Sequence, residues 1–107
     1  MKKTIIALAA AGMVVFGMNA QARSGEDIYK TVCKNCHDAP MAAGVMAPEI
    51  GNKEQWAPRI AKGKDALYDV ALHGSKVNPA MVARGTCADC SDDELKAAVD
   101  YMIDKSK

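Results

Sequence analysis

The sequence predicts a small all-α domain of about four short helices, and three observations lead there. Apolar residues recur at three- and four-residue intervals in several segments, and no stretch reads convincingly as a strand. Segments rich in Gly and Pro separate these runs. The stretch Cys33-Lys34-Asn35-Cys36-His37 is a C-x-x-C-H. In that pattern two thiols on one helical turn add to the two vinyl groups of a single haem, and the imidazole that follows ligates the iron. The competing readings are weaker. A thioredoxin-like dithiol would need a βαβ pattern around it, and half a zinc site would need two more ligands at matching spacing.

The chain opens with a processing segment. Met1-Lys2-Lys3 is a positive start, residues 5–16 are apolar or Gly, and Ala20-Gln21-Ala22 is an A-x-A cleavage site. The apolar run is shorter than the roughly 20 residues a spanning helix needs. Residues 1–22 are therefore expected to be a cleaved signal peptide. Residues 23–107 would form one monohaem domain in the bacterial periplasm, with no membrane span in the mature form. Such a domain of 85 residues (107 less 22) has a marginal core of its own, so a buried haem would be inseparable from the fold. Loss of Lys2 and Lys3 reduces the 14 basic residues to 12 against 13 acidic ones. This balance does not suggest a nucleic-acid partner.

Four helices can be justified in order. The first spans about residues 25–34. Ile28 and Val32 lie one turn apart, with Tyr29 and Cys33 beside them, and the helix delivers the C-x-x-C-H at its end. Residues 38–52 hold Pro40, Gly44, Pro48 and Gly51 and read as a loop. Asn52 can cap a second helix running to Ala61, which Pro58 would kink or divide. The third helix spans residues 64–72, with Leu67, Val70 and Ala71 on its apolar side and Gly74 placed to end it. Residues 75–90 read as a second loop. Ser91-Asp92-Asp93-Glu94 is a capping box, and Leu95, Ala98, Val99, Met102 and Ile103 follow at helical spacing, giving a last helix over residues 92–104.

The second iron ligand can come from few residues. Among the methionines after residue 22, Met102 reads as core, and Met41 and Met46 lie in the loop right behind His37. Met81, in the irregular stretch Asn78-Pro79-Ala80-Met81, is the preferred distal ligand; its bland alternative is a packing methionine. His73 competes, although a histidine closing a helix often only complements its dipole. Trp56 has two equal readings, a haem contact donating its indole N–H to a propionate or plain core packing. Cys87-Ala88-Asp89-Cys90 is a second C-x-x-C without a following His, so it reads as a disulfide in an oxidising compartment, with a redox-active dithiol as the sharper alternative.

Two stretches carry a family resemblance: residues 85–99, beginning Gly85-Thr86-Cys87-Ala88-Asp89-Cys90-Ser91, and Trp56-Ala57-Pro58-Arg59-Ile60-Ala61-Lys62-Gly63. Together they resemble cytochrome c5, a class I c-type cytochrome of bacterial periplasms. The resemblance extends over nearly all of residues 23–107. It implies the class I cytochrome c fold around one covalently bound haem c per chain, His/Met ligation and a Cys87–Cys90 disulfide. The family's ligand segment reads M-P-P-K-G. Here the matching residues are Met81-Val82-Ala83-Arg84-Gly85, with both prolines absent and Pro79 two residues earlier.

Electron transfer is the function expected, since an iron with both axial positions filled has no substrate site. Partners would be membrane-bound or periplasmic donors and acceptors, such as quinol-oxidising cytochromes and terminal oxidases or reductases. Lys34, Arg59, Lys62, Lys64, Lys76 and Arg84 would form a weak docking rim or serve only as solubilising charges. Two other classes are weaker: a small haem peroxidase or gas-binding protein with a labile distal ligand, and a thiol–disulfide protein built on Cys87 and Cys90.

Overall fold

The computed structural model describes residues 22–107, so all of the expected signal peptide but Ala22 lies outside the described residues. Among the described residues there are helices and turns but no strand. Helix α1 covers residues 25–37 in three joined pieces: Gly25–Ile28, a π-helical turn Tyr29–Cys33, and Lys34–His37. Ser24 caps its start, its side chain accepting from the Asp27 N–H at 3.1 Å. The helix therefore runs three residues beyond the expected end and carries the whole C-x-x-C-H. The π-turn, marked by the Lys34 N–H bonding to the Tyr29 carbonyl, inserts one residue immediately before that motif.

The segment expected to be a loop contains a short helix, α2 (Met41–Val45), which starts after Pro40 and ends with Met46 in the left-handed region at φ 58°. Two alanines in five residues favour this turn, but five residues are too few to show a period. Helix α3 is Lys53–Ile60, capped by Asn52, whose Oδ1 accepts from the Gln55 N–H at 3.0 Å. Pro58 does not divide it. The carbonyl deprived of a partner is that of Glu54, an exposed residue in the first turn, where solvent can reach it. Helix α4 is Lys64–His73, bounded by Gly63 at φ 96° and Gly74 at φ 90°. A one-turn 3-10 element, Ala83–Thr86, lies in the expected second loop, and α5 is Asp92–Ser106. Both halves of the α5 capping box form: the Glu94 N–H donates to Ser91 Oγ at 3.0 Å, and the Ser91 N–H to Glu94 Oε1 at 2.8 Å.

The closest packing is between α1 and α5. A Cβ on Gly25 would stand 2.1 Å from the Ala97 carbonyl oxygen, so this contact admits no side chain. Ile28, fully buried, packs with Leu95, Ala98 and the Cys87–Cys90 pair. One residue on, Tyr29 enters a second cluster with Trp56, Val99, Met102 and Ile103. Its ring lies 5.5 Å from that of Tyr101. Tyr68 on α4 ties that helix to α5 by donating its hydroxyl to Asp100 Oδ1 at 2.6 Å.

Charge fastens the start of α1 to the start of α5. The Arg23 backbone N–H donates to Glu94 Oε2 at 2.7 Å, its Nε to the same oxygen at 3.1 Å, and its Nη2 to Oε1 at 3.2 Å. These bonds, from the Arg23 side chain foremost, hold the Glu94 carboxyl down at about 2, against the ordinary value of 4.5. A depressed carboxyl contributes stability that is present above its ordinary value and is lost as pH falls toward the folded one. Arg23→Ala is therefore expected to lower the thermal midpoint at neutral pH, with a deficit that narrows as pH falls from 4.5 toward about 2. Melts followed by circular dichroism across a pH series check this, and a deficit that widens in acid would contradict it.

Candidate functional site

His37, the last residue of α1, is buried, with its Nδ1 2.8 Å from the Pro48 carbonyl oxygen. A carbonyl can only accept, so Nδ1 carries the proton and Nε2 keeps its lone pair, the tautomer a metal-ligating imidazole needs. Burial lowers the pKa of the ring and so keeps it neutral. The segment that supplies this carbonyl is pinned by its other polar groups. The Ile50 N–H donates to the His37 carbonyl at 2.8 Å, and the Glu49 N–H to Gln55 Oε1 at 2.8 Å. The Gly51 N–H reaches Ser106 Oγ on α5 at 2.8 Å.

Trp56 belongs to the same arrangement. Its ring centroid is 6.2 Å from that of His37, and its Nε1–H donates to the Glu49 carbonyl at 3.0 Å. Its single donor is thus engaged by backbone, and a mostly buried aromatic face stands at the cavity wall.

The cavity has a volume of about 600 Å³, within the usual range for small-molecule and cofactor sites, and its wall is predominantly apolar. Cys36, His37, Trp56, Val70, Met81 and Met102 all line it. Imidazole and thioether thus share one apolar cavity with a thiol, a donor set suited to a covalently held haem. Cys33, one helical turn before Cys36, is not on that lining. It packs against both core clusters. Neither Cys33 nor Cys36 takes part in a disulfide.

The candidate ligands separate by position. His73 is exposed, with Nδ1 2.9 Å from Asp69 Oδ1, and does not line the cavity. Met102 is buried core that also reaches the cavity wall, Met46 is 77% exposed at the cavity, and Met41 is on the surface away from it. Of the six basic residues considered for a rim, Arg59, Lys62 and Lys76 line the cavity. Lys64 is paired with Asp100 at 3.2 Å and Arg84 with Asp92 at 2.9 Å, while Lys34 is on the exposed side of α1.

Cys87 and Cys90 are joined by a disulfide with Cα atoms 5.5 Å apart, and both residues are buried against α1 and α5. They lie in the cluster around Ile28, not on the cavity lining. Sequence reasoning missed the Pro48 carbonyl and the Glu49 carbonyl. The only signal for Pro48 was its place in a Gly- and Pro-containing stretch behind the C-x-x-C-H.

Comparisons with known proteins show the family to which the chain is similar. Residues 20–102 match the family model described as cytochrome C oxidase, cbb3-type, subunit III. The chain is 45% identical over 83 residues to a cytochrome c5 of Azotobacter vinelandii, covering 76% of this chain and 93% of that one. It is 37% identical over 105 residues to a cytochrome c-555 of Chlorobaculum tepidum, covering 94% of each. It is also similar to a solved chain from a crystal structure of an electron transfer complex of nitrite reductase with cytochrome c. That match has a TM-score of 0.67 and 40% identity, covering 78% of this chain and 94% of the other.

Trp56→Phe keeps an aromatic ring and removes only the donor to the Glu49 carbonyl. It is expected to cost about 1 kcal/mol of stability in a denaturant titration, with little change in the visible spectrum or reduction potential. Unchanged stability with a clear shift in potential would favour the propionate reading.

Proposed function

Because the chain belongs to the c-type cytochromes, as a cytochrome c5-like class I member that carries electrons on covalently bound haem c, we propose that Cys33 and Cys36 form the thioether bonds, that His37 is the proximal ligand and that Met81 is the distal one. The observation that carries this reading is the His37–Pro48 hydrogen bond, which leaves Nε2 free on a side chain lining the same apolar cavity as Met81. Bound haem supplies one-electron exchange at its iron. The protein holds the imidazole neutral and oriented, excludes water with the apolar wall, and raises the potential through its His/Met pair. Trp56 contributes a flat apolar contact. The Cys87–Cys90 disulfide is structural, joining the turn that enters α5 to the cluster around Ile28.

The protein works as a diffusible carrier rather than an enzyme, since two filled axial positions leave no substrate site. It acts in the periplasm after loss of residues 1–22. Cleavage there would turn the Arg23 N–H into an ammonium 2.7 Å from Glu94, strengthening an existing contact. Among the described residues no helix is long and apolar enough to cross a membrane. Its donors are quinol-oxidising cytochromes and its acceptors terminal oxidases or reductases. The relative seen with nitrite reductase is a precedent for a redox-enzyme partner. Arg59, Lys62 and Lys76 at the cavity suit a small, weak contact with an acidic surface.

Met81→Ala is expected to abolish the long-wavelength thioether–iron band of the oxidised protein and to lower the reduction potential, while His73→Ala does neither. Loss of the band in His73→Ala alone would reverse the ligand assignment. Electron exchange with an acidic partner should slow as salt rises, because screening shortens to about 10 Å at 0.1 M. Stopped-flow reduction across a salt series reads this directly, and a flat series removes the basic rim. Tight carbon monoxide binding to the reduced native protein would instead favour the gas-binding alternative.

A further inference from the structure

The segment that bears Met81 lacks both prolines of the related ligand segment, yet it is closed on itself by hydrogen bonds. The Ser75 N–H donates to the Met81 carbonyl at 2.9 Å, and the Met81 N–H to the Asn78 carbonyl at 3.0 Å. Ser75 Oγ accepts from the N–H groups of Val77 at 3.2 Å and Asn78 at 3.0 Å. Gly74 lets the ends meet, since a Cβ there would stand 3.1 Å from Ala83 N and 3.3 Å from the Met81 carbonyl oxygen. The ring has little apolar anchorage of its own: Val77 is 93% exposed.

Asn78 joins this ring to a distant part of the chain. Its Nδ2 donates to the Val45 carbonyl at 2.9 Å, with a longer contact to the Met46 carbonyl at 3.4 Å. These are the free carbonyls at the end of α2, 33 and 32 residues away in sequence. Its Oδ1 accepts from the Ala80 N–H at 3.0 Å. Turning the carboxamide over would set donor against donor at Ala80 and acceptor against acceptor at Val45, so its orientation is determined. Among the described residues, no other hydrogen bond links residues 75–81 to a segment outside 74–82. Val45, Met46, Asn78 and Met81 all line the cavity.

We infer that Asn78 is a positioning residue whose carboxamide latches the Met81 segment to the end of α2 and so holds the thioether at the cavity. The latch replaces by a cross-chain tether the stiffness that prolines would give. It rests on the reading of Met81 as the iron ligand. Releasing it leaves Met81 able to bind iron but lowers the cost of swinging the segment away, which favours a competing ligand.

Titration of the oxidised holoprotein with imidazole, followed by loss of the thioether–iron band, tests this. Asn78→Ala removes the whole side chain. Asn78→Asp keeps the acceptor for the Ala80 N–H but has no donor for the Val45 carbonyl, so it separates the latch from the local turn. Both variants should keep the band at neutral pH and reach half-saturation at an imidazole concentration about two- to tenfold below that of the native protein, the range expected for one net hydrogen bond. Asn78→Asp serves alone should Asn78→Ala fail to fold. Native-like titration of Asn78→Asp would overturn the latch. A band that survives Met81→Ala overturns the ligand assignment and the latch together, whereas a band lost in Met81→Ala with native-like Asn78 variants overturns the latch alone.

Discussion

The backbone contact between α1 and α5 at Gly25 is the constraint on which the remaining geometry depends. Only a residue without a Cβ lets the first helix lie against the Ala97 carbonyl, and that approach sets the line along which the C-x-x-C-H is delivered. Arg23 and Glu94 fasten one end of the crossing, and the Tyr29–Tyr101 pair fastens it further along. With α1 held, its last residue lands beside Pro48, and the imidazole acquires both its tautomer and its orientation. A shift of α1 along α5 would move both cysteines and His37 together, so electron-transfer geometry and helix packing are one problem here.

The rest of the site is built on segments with little regular structure, and these are organised by backbone carbonyls. Pro48 receives His37, Glu49 receives Trp56, Val45 receives Asn78, and Cys90 receives Arg84. Each bond satisfies an acceptor that helix or sheet would otherwise have engaged, and each ties an irregular stretch to a side chain placed by a helix or a tight turn. These ties hold the wall of the cavity in place in a domain with a modest apolar core. The disulfide completes the scheme from the other side, in the cluster around Ile28, where Arg84 also meets Asp92 and Cys90.

The local signals were legible. Ser91 and Glu94 in the sequence announced the start of α5, Asn52 announced α3, and apolar spacing placed α4 and α5 to within a residue or two at each end. The C-x-x-C-H identified the chemistry. Other features were hidden for physical reasons. Helix α2 is shorter than two turns, so it has no period to detect. Pro58 looked like a break, but the carbonyl it frees is at the exposed first turn, where the loss is mild. Trp56 kept two equal readings in the sequence, because nothing there shows that a carbonyl seven residues back engages its only donor.

The sequence by itself determined the all-α class, the capped helices, the cofactor chemistry and the residues able to ligate iron, because each rests on side-chain identity at short spacing. Only the tertiary structure decided that His73 turns to Asp69 at the surface while Met81 shares a cavity with His37, that Gly25 is a packing contact rather than a mere helix start, and that Asn78 reaches Val45. Those outcomes depend on backbone carbonyls and on the distance between helices. Every residue carries the same carbonyl, and interhelical distance is a sum over many contacts, so neither leaves a mark that can be read along the chain.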